Sequence, residues 1–142
     1  MAKKNTNEAS LPTTLPVAEG ETPWTAAEIA EQRVELLEEL ERAQRKIDIA
    51  YGELDDLLQA GVSGAGRDPA DVGSSNFERD QELSLAHNAR EMAEQIRQAL
   101  RLFDRGDYGR CEVCEQPIGK GRLQVFPRAT LCVTCKQREE RR

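Results

Sequence analysis

The residues best suited to chemistry are four cysteines, set as Cys111-x-x-Cys114 and Cys132-x-x-Cys135 with 17 residues between the pairs. A CxxC knuckle turns a short loop so that both sulfurs converge. Two knuckles at this separation supply four thiolates, enough to close a tetrahedron around zinc. A thioredoxin-like redox pair normally has one CxxC inside a βαβ unit, and structural disulfides belong to oxidising compartments. Neither suits two knuckles in a short segment. Four sulfur ligands leave no open coordination position, so the predicted role of the metal, one zinc per chain, is structural. A piece of this size cannot hold together by burial alone, and the metal supplies what its core lacks.

A second candidate is the pair Asp68 and Asp71 within Gly66-Arg67-Asp68-Pro69-Ala70-Asp71-Val72-Gly73. Taken alone, this stretch reads as turn chemistry, because Asp and Pro start turns and Gly releases the chain from them. A third is the set of basic residues around the cysteines: Arg105, Arg110, Lys120, Arg122, Arg128 and Lys136. They could touch nucleic acid or a protein rim, or only solvate the module. His87 has no cysteine or acid at ligand spacing and reads as a surface residue. No nucleophile–base pair, open metal site or phosphate loop is present, so the chain is expected not to be an enzyme.

These groups need elements to carry them. Residues 1–23 are rich in Thr, Glu, Ala and Pro and read as a disordered N-terminal tail. Order is expected from Trp24. Thr25-Ala26-Ala27-Glu28 has capping-box form, and Trp24 and Ile29 stand at hydrophobic-staple spacing. Leu36, Leu40, Ala43, Ile47, Ala50, Leu54 and Leu57 then advance in alternating steps of four and three, a heptad seam. Gly61, Gly64 and Gly66 are expected to stop this helix. A second seam follows in Leu85, Ala89, Met92, Ile96, Ala99 and Phe103, with Ser75-Asn76-Phe77-Glu78 as its predicted capping box and Gly106 as its left-handed C-cap.

Folded back antiparallel, the seams set Ala50 and Tyr51 against Leu85, Ile47 against Ala89, Leu40 against Ile96 and Leu36 against Ala99. Large faces small repeatedly. The prediction is therefore a mainly α protein. It comprises a long antiparallel two-helix coiled-coil hairpin over residues 24–105 with a tip loop at 61–75. A small four-cysteine zinc finger with a C-terminal helix follows over residues 106–142. A seam shared between two chains is the alternative; the connector and register favour a monomer.

The totals agree with that class. Only 4% of residues are aromatic while 32% are charged, which suits a narrow seam rather than a large core. The net charge of −6 is uneven. Residues 1–104 carry 11 Lys/Arg against 21 Asp/Glu, whereas residues 105–142 carry 9 against 5. That argues against broad phosphate binding and leaves a small basic module. No apolar run suggests a membrane span or secretory signal, so a reducing cytoplasm is the expected location.

The cysteine module also resembles a known family. Cys111-Glu112-Val113-Cys114, then Ile118, Arg122, Pro127, Cys132 and Cys135, reproduce the zinc-finger signature of the DksA/TraR family. The flanking "DYGRCEVCEQPIGKGRL" and "LCVTCK" look like it as well. The resemblance covers residues 25–142, hairpin included. It implies direct binding to RNA polymerase rather than sequence-specific DNA recognition, with the hairpin inserted into the secondary channel. It also implies a tip bearing D-x-x-D-x-A, to which Asp68, Pro69, Ala70 and Asp71 match. On that reading the carboxylates form a probe near the catalytic centre, where they could compete for the electrostatics of a metal-dependent site.

Two departures from the family pattern stand out. Gly73 replaces the tip alanine, which loosens the backbone and removes an apolar contact. Some members also hold the alarmone ppGpp with basic residues of the second helix and a lysine after the last cysteine. Lys136 fits the lysine, but the aligned helix positions are Asn88 and Gln95. A phosphate-rich ligand wants Arg or Lys there, so weak or absent ppGpp binding is expected. Lys136 and Arg122 remain candidate polymerase or ligand contacts. The other reading is a coiled-coil and zinc-ribbon adaptor between proteins, in which Asp68 and Asp71 only form a turn.

Overall fold

The computed structural model describes residues 11–62 and 69–142. Four helices follow in order: α1 (Ala26–Val62), α2 (Pro69–Asp104), α3 (Lys120–Val125) and α4 (Val133–Glu140). Two compact units can be separated. One is built from residues up to Glu39 together with Gln95–Arg142, the other from Leu40–Glu94.

The start of α1 follows the predicted capping box. The Thr25 amide donates to the Glu28 carboxylate at 2.9 Å, and the Glu28 amide donates to Thr25 Oγ1 at 3.2 Å. Two of the amides that a helix start leaves without partners are thereby satisfied. Trp24 and Ile29 are both buried, completing the staple. The end of α2 is equally legible. Gly106 has φ +79°, its amide donates to Phe103 O, and the Asp107 amide donates to Leu102 O. This is a Schellman closure, which needs the left-handed conformation glycine adopts without cost.

In the unit Leu40–Glu94, the seam of α1 lies where the heptads put it, with Ala43, Ile47 and Ala50 buried. The seam of α2 is displaced. Ala86, Ala89 and Ala93 are buried, whereas Leu85 is 51% exposed and Met92 only half-buried. Leu85, expected to face Ala50 and Tyr51 in the seam, therefore stands at its edge. Alanines occupy the contact because a side chain of one carbon lets two backbones approach, and the larger Leu85 is left on the flank. Tyr51 instead lies under the Arg90 guanidinium, 5.0 Å from its ring centre. Toward the connector the seam turns polar, and Glu53 and Glu82 share a hydrogen bond across the two helices.

The expected loop at 61–75 is also shorter than read. Residues 61 and 62 continue α1, and α2 begins at Pro69, ahead of the Ser75–Glu78 capping box, which falls inside the helix. Proline at the first helical position loses nothing, because the amide it lacks would have no partner there. Asp71 is therefore the third residue of α2, while Asp68 lies outside the described residues.

The other unit corrects the N-terminal reading. Of residues 1–23, expected to be disordered, 1–10 lie outside the described residues, while 11–23 are packed: Leu15 is 7% exposed and Trp24 Nε1 donates to Pro16 O at 3.2 Å. Apolar side chains at Leu15 and Trp24, spaced along a proline-stiffened segment, are enough to seat it. The rest of this core comes from Leu36, Ile96, Ala99 and Phe103 of the long helices with Tyr108, Ile118 and Leu123 of the cysteine module. Phe103 and Tyr108 rings pack at 5.1 Å between centres. Arg33 of α1 pairs with Asp104 of α2 at 3.3 Å. Residues 106–142 thus share a core with the ends of both long helices.

Candidate metal centre and adjoining groove

The first knuckle sits in a tight hairpin. The Ile118 amide donates to Gly109 O at 2.6 Å and the Cys111 amide to Gln116 O at 2.9 Å. Glu115 takes a left-handed φ of 61°, and its amide returns to Cys111 O. The second knuckle opens α4: Cys132 is its N-cap, and Cys132 Sγ accepts from the Cys135 amide at 3.5 Å. Two links bring the knuckles together. The Glu112 amide donates to Thr130 O at 2.9 Å, and Arg122 Nε donates to Leu131 O at 3.2 Å, next to Cys132.

The outcome is a cluster in which all four sulfurs lie within 4.8 Å of one another. Cys114 Sγ and Cys132 Sγ are 3.8 Å apart. That is close to the edge of a tetrahedron with metal–sulfur bonds of about 2.3 Å, the zinc value. The donor set and its spacing fit a closed four-sulfur metal site. Cys111 and Cys135 are buried, Cys132 is intermediate and Cys114 faces solvent. Burial pushes the Cys111 thiol up, but amides of Cys114, Cys132 and Val113 pointing at its sulfur outweigh that and bring it down to about 6. The Cys135 thiol is pushed up to about 12, first by its hydrogen bond with Cys132 and then by burial. One thiolate forms readily, and each further negative charge is resisted unless a cation joins the cluster.

Beside the cluster lies a groove of about 820 Å³. Arg122, Arg128, Lys136 and Arg142 line it, with Phe126 and Gln95 among its other walls. Both predicted contact residues, Lys136 and Arg122, thus face one groove. Arg122 is partly committed, since it also stacks over the Phe126 ring at 5.7 Å. Gln95 stands in the groove where a basic residue would suit a phosphate-rich ligand, and Asn88 is an exposed residue of the other unit.

Sequence reasoning missed Gln32. Its side chain is buried and donates to Tyr108 OH at 2.8 Å and to Leu123 O at 2.6 Å, while Tyr108 OH donates to Pro127 O at 2.6 Å. A lone polar residue between seam positions gives no periodic signal. Burial raises the Tyr108 phenol well above its usual range, so it remains a donor. Lys120 was also underestimated. It is buried, with Nζ 2.6 Å from the Glu28 carboxylate and 5.3 Å from the Trp24 ring centre.

Among the described residues, no helix is long and apolar enough to cross a membrane. Residues 106–141 match the model of the prokaryotic dksA/traR C4-type zinc finger. An RNA polymerase-binding transcription factor DksA of Caulobacter vibrioides is 43% identical over 75 residues, 53% of this chain and 53% of that protein. The corresponding factor of Haemophilus influenzae is 36% identical over 69 residues, 49% of this chain and 48% of that one. The match thus spans about half the length of these curated relatives. The solved structure of transcription factor DksA2 from Pseudomonas aeruginosa superposes with a TM-score of 0.66 at 35% identity, covering 79% of this chain and 82% of that one.

Proposed function

Because the chain belongs to the DksA/TraR family of C4-type zinc-finger proteins, we propose that it binds RNA polymerase directly and regulates transcription initiation. The observation that carries this reading is the similarity in sequence to proteins named as RNA polymerase-binding transcription factors, joined by the similarity in fold to the transcription factor DksA2. In this account the connector between α1 and α2 enters the secondary channel, and Asp68 and Asp71 act there as fixed negative charges. Pro69 opens α2, the helix that carries Asp71 as its third residue.

Affinity comes from a larger surface. The groove lined by Arg122, Arg128, Lys136 and Arg142 is the basic part of an otherwise acidic chain. It would meet acidic and apolar groups of the polymerase. Gln95 and Asn88 supply no charge for a polyphosphorylated nucleotide, so ppGpp would bind weakly or not at all through this protein. One zinc per chain, held by Cys111, Cys114, Cys132 and Cys135, would tie the two knuckles and so fix the groove walls. The chain acts as a monomer, since its seam is satisfied between its own two helices.

Co-sedimentation with core RNA polymerase tests the binding. A stoichiometric complex, weakened at least several-fold by reversing charge at Arg128 and Lys136, is expected. No complex at micromolar concentration would overturn the reading. Metal analysis should find about one zinc per chain, and light scattering a monomer.

A further inference from the structure

Residues 12–24 run along the cysteine module before α1 begins, and their contacts fall on residues flanking the first knuckle. The Glu21 carboxylate accepts the Lys120 backbone amide at 2.7 Å, the first amide of α3. A methyl group on Gly119 would come within 3.2 Å of the same carboxylate. One on Gly109 would lie 3.8 Å from Pro16 O, and one on Gly106 would lie 3.8 Å from Pro12 Cβ. The segment therefore crosses three glycines of the module. Leu15 and Trp24 are its two buried anchors.

The seat depends on the knuckle. Gly109 and Gly119 bracket the hairpin that holds Cys111 and Cys114, and the bond from the Ile118 amide to Gly109 O closes that hairpin. Lys120 follows directly. Its buried amine is held by Glu28, which also caps α1, and lies over the Trp24 ring. If the hairpin opened, the Glu21 acceptor would lose its amide and Trp24 would lose its cation. Conversely, the docked segment braces the hairpin at Gly109 and Gly119.

We propose that residues 12–24 form a strap whose docking and the metal occupancy of the four-cysteine site stabilise each other, so that metal status is reported at the foot of α1. Linkage makes the coupling reciprocal: whatever factor metal adds to strap docking, the docked strap adds to metal affinity. This inference concerns the strap and the module alone and stands or falls independently of polymerase binding.

Trp24 is the chain's only tryptophan, so its emission reports the strap directly. The full chain is titrated with a chelator while zinc release, acrylamide quenching and far-UV circular dichroism are followed together. Trp24 should become accessible to quencher in step with zinc release. In the reverse direction, Leu15→Asp should unseat the strap in the zinc-loaded protein and lower zinc affinity by about five-fold or more, the lower end of typical coupling. Thr22→Asp, at an exposed strap position, should change neither. Glu21→Ala, a milder lesion, should shift both readouts in the same direction should Leu15→Asp unfold the chain. Trp24 shielding that survives complete zinc removal would overturn the proposal. So would a folded strap variant with exposed Trp24 and wild-type zinc affinity.

Discussion

Gln32 and Tyr108 are 76 positions apart in sequence and joined by a buried hydrogen bond of 2.8 Å. Gln32 spends its second amide hydrogen on Leu123 O, and Tyr108 passes its own proton to Pro127 O. One amide and one phenol therefore tie α1 to Leu123 and Pro127, within the segment between the cysteine pairs. Gln32→Ala would strand buried acceptors, at a cost of about 1–3 kcal/mol. Tyr108→Phe removes both the acceptor of Gln32 and the donor to Pro127 O and should likewise cost about 1–3 kcal/mol. Chemical denaturation of both variants checks these losses. Equal stability of Gln32→Ala and wild type would mean that water replaces the amide freely.

The displaced seam gives a second test. Ala86 is 3% exposed, so Ala86→Leu forces extra carbons into a filled contact and should destabilise by about 1–3 kcal/mol. Leu85 stands on the flank, and Leu85→Ala should stay within about 0.5 kcal/mol of wild type. The opposite ranking in thermal melts would restore the heptad phase that puts Leu85 in the seam.

That phase error shows where the sequence stops being readable. The α1 seam was legible because Leu36, Ala43, Ile47 and Ala50 leave no competing stripe. In α2, Leu85 and Met92 run beside Ala86 and Ala93, and hydrophobicity alone favours the larger pair. Close backbone approach favours the smaller one, and only the folded pair reveals that it wins. The capping box at Thr25, the Schellman glycine at Gly106 and the four cysteines were legible because each is local chemistry. Docking of residues 11–23 was not, since Glu21 finds its partner, Lys120, 99 positions away.

Two carboxylates should respond to pH with opposite sign. The hydrogen bond from Lys120, and then that from the Thr25 amide, hold Glu28 below its ordinary value. Its contribution is complete above the ordinary carboxylate range and is lost as pH falls through the lowered value. Glu82 is raised, first by the hydrogen bond shared with Glu53 and then by burial. Its contribution is present at low pH and is lost as pH rises through the raised value, leaving two like charges together. Mild acidification should therefore stabilise the unit Leu40–Glu94, and stronger acid should loosen the Glu28–Lys120 contact. Glu82→Gln should flatten the first response and Glu28→Gln the second, in melts recorded across pH. Unchanged profiles in both variants would contradict the assignment.

Gly73 lies within α2, and a methyl group there meets nothing within 4 Å. Gly73→Ala should stabilise the helix by about 0.5–1 kcal/mol through backbone entropy alone. It also restores the family alanine beside Asp71. Transcription assays should show an effect at least as strong as wild type, and a weaker one would mean that the glycine is needed at the tip.

In the proposed function, Asp68 and Asp71 act on a polymerase to which the rest of the molecule binds. Replacing both with Asn keeps their size and turn-forming ability while removing both charges. Multi-round transcription with the Asp68→Asn/Asp71→Asn protein, beside a polymerase pull-down, separates action from attachment. The account predicts normal folding, polymerase binding within a few-fold of wild type, and loss of the effect on initiation. A double variant that regulates initiation as well as wild type would contradict it, because the acids would then be ordinary turn formers.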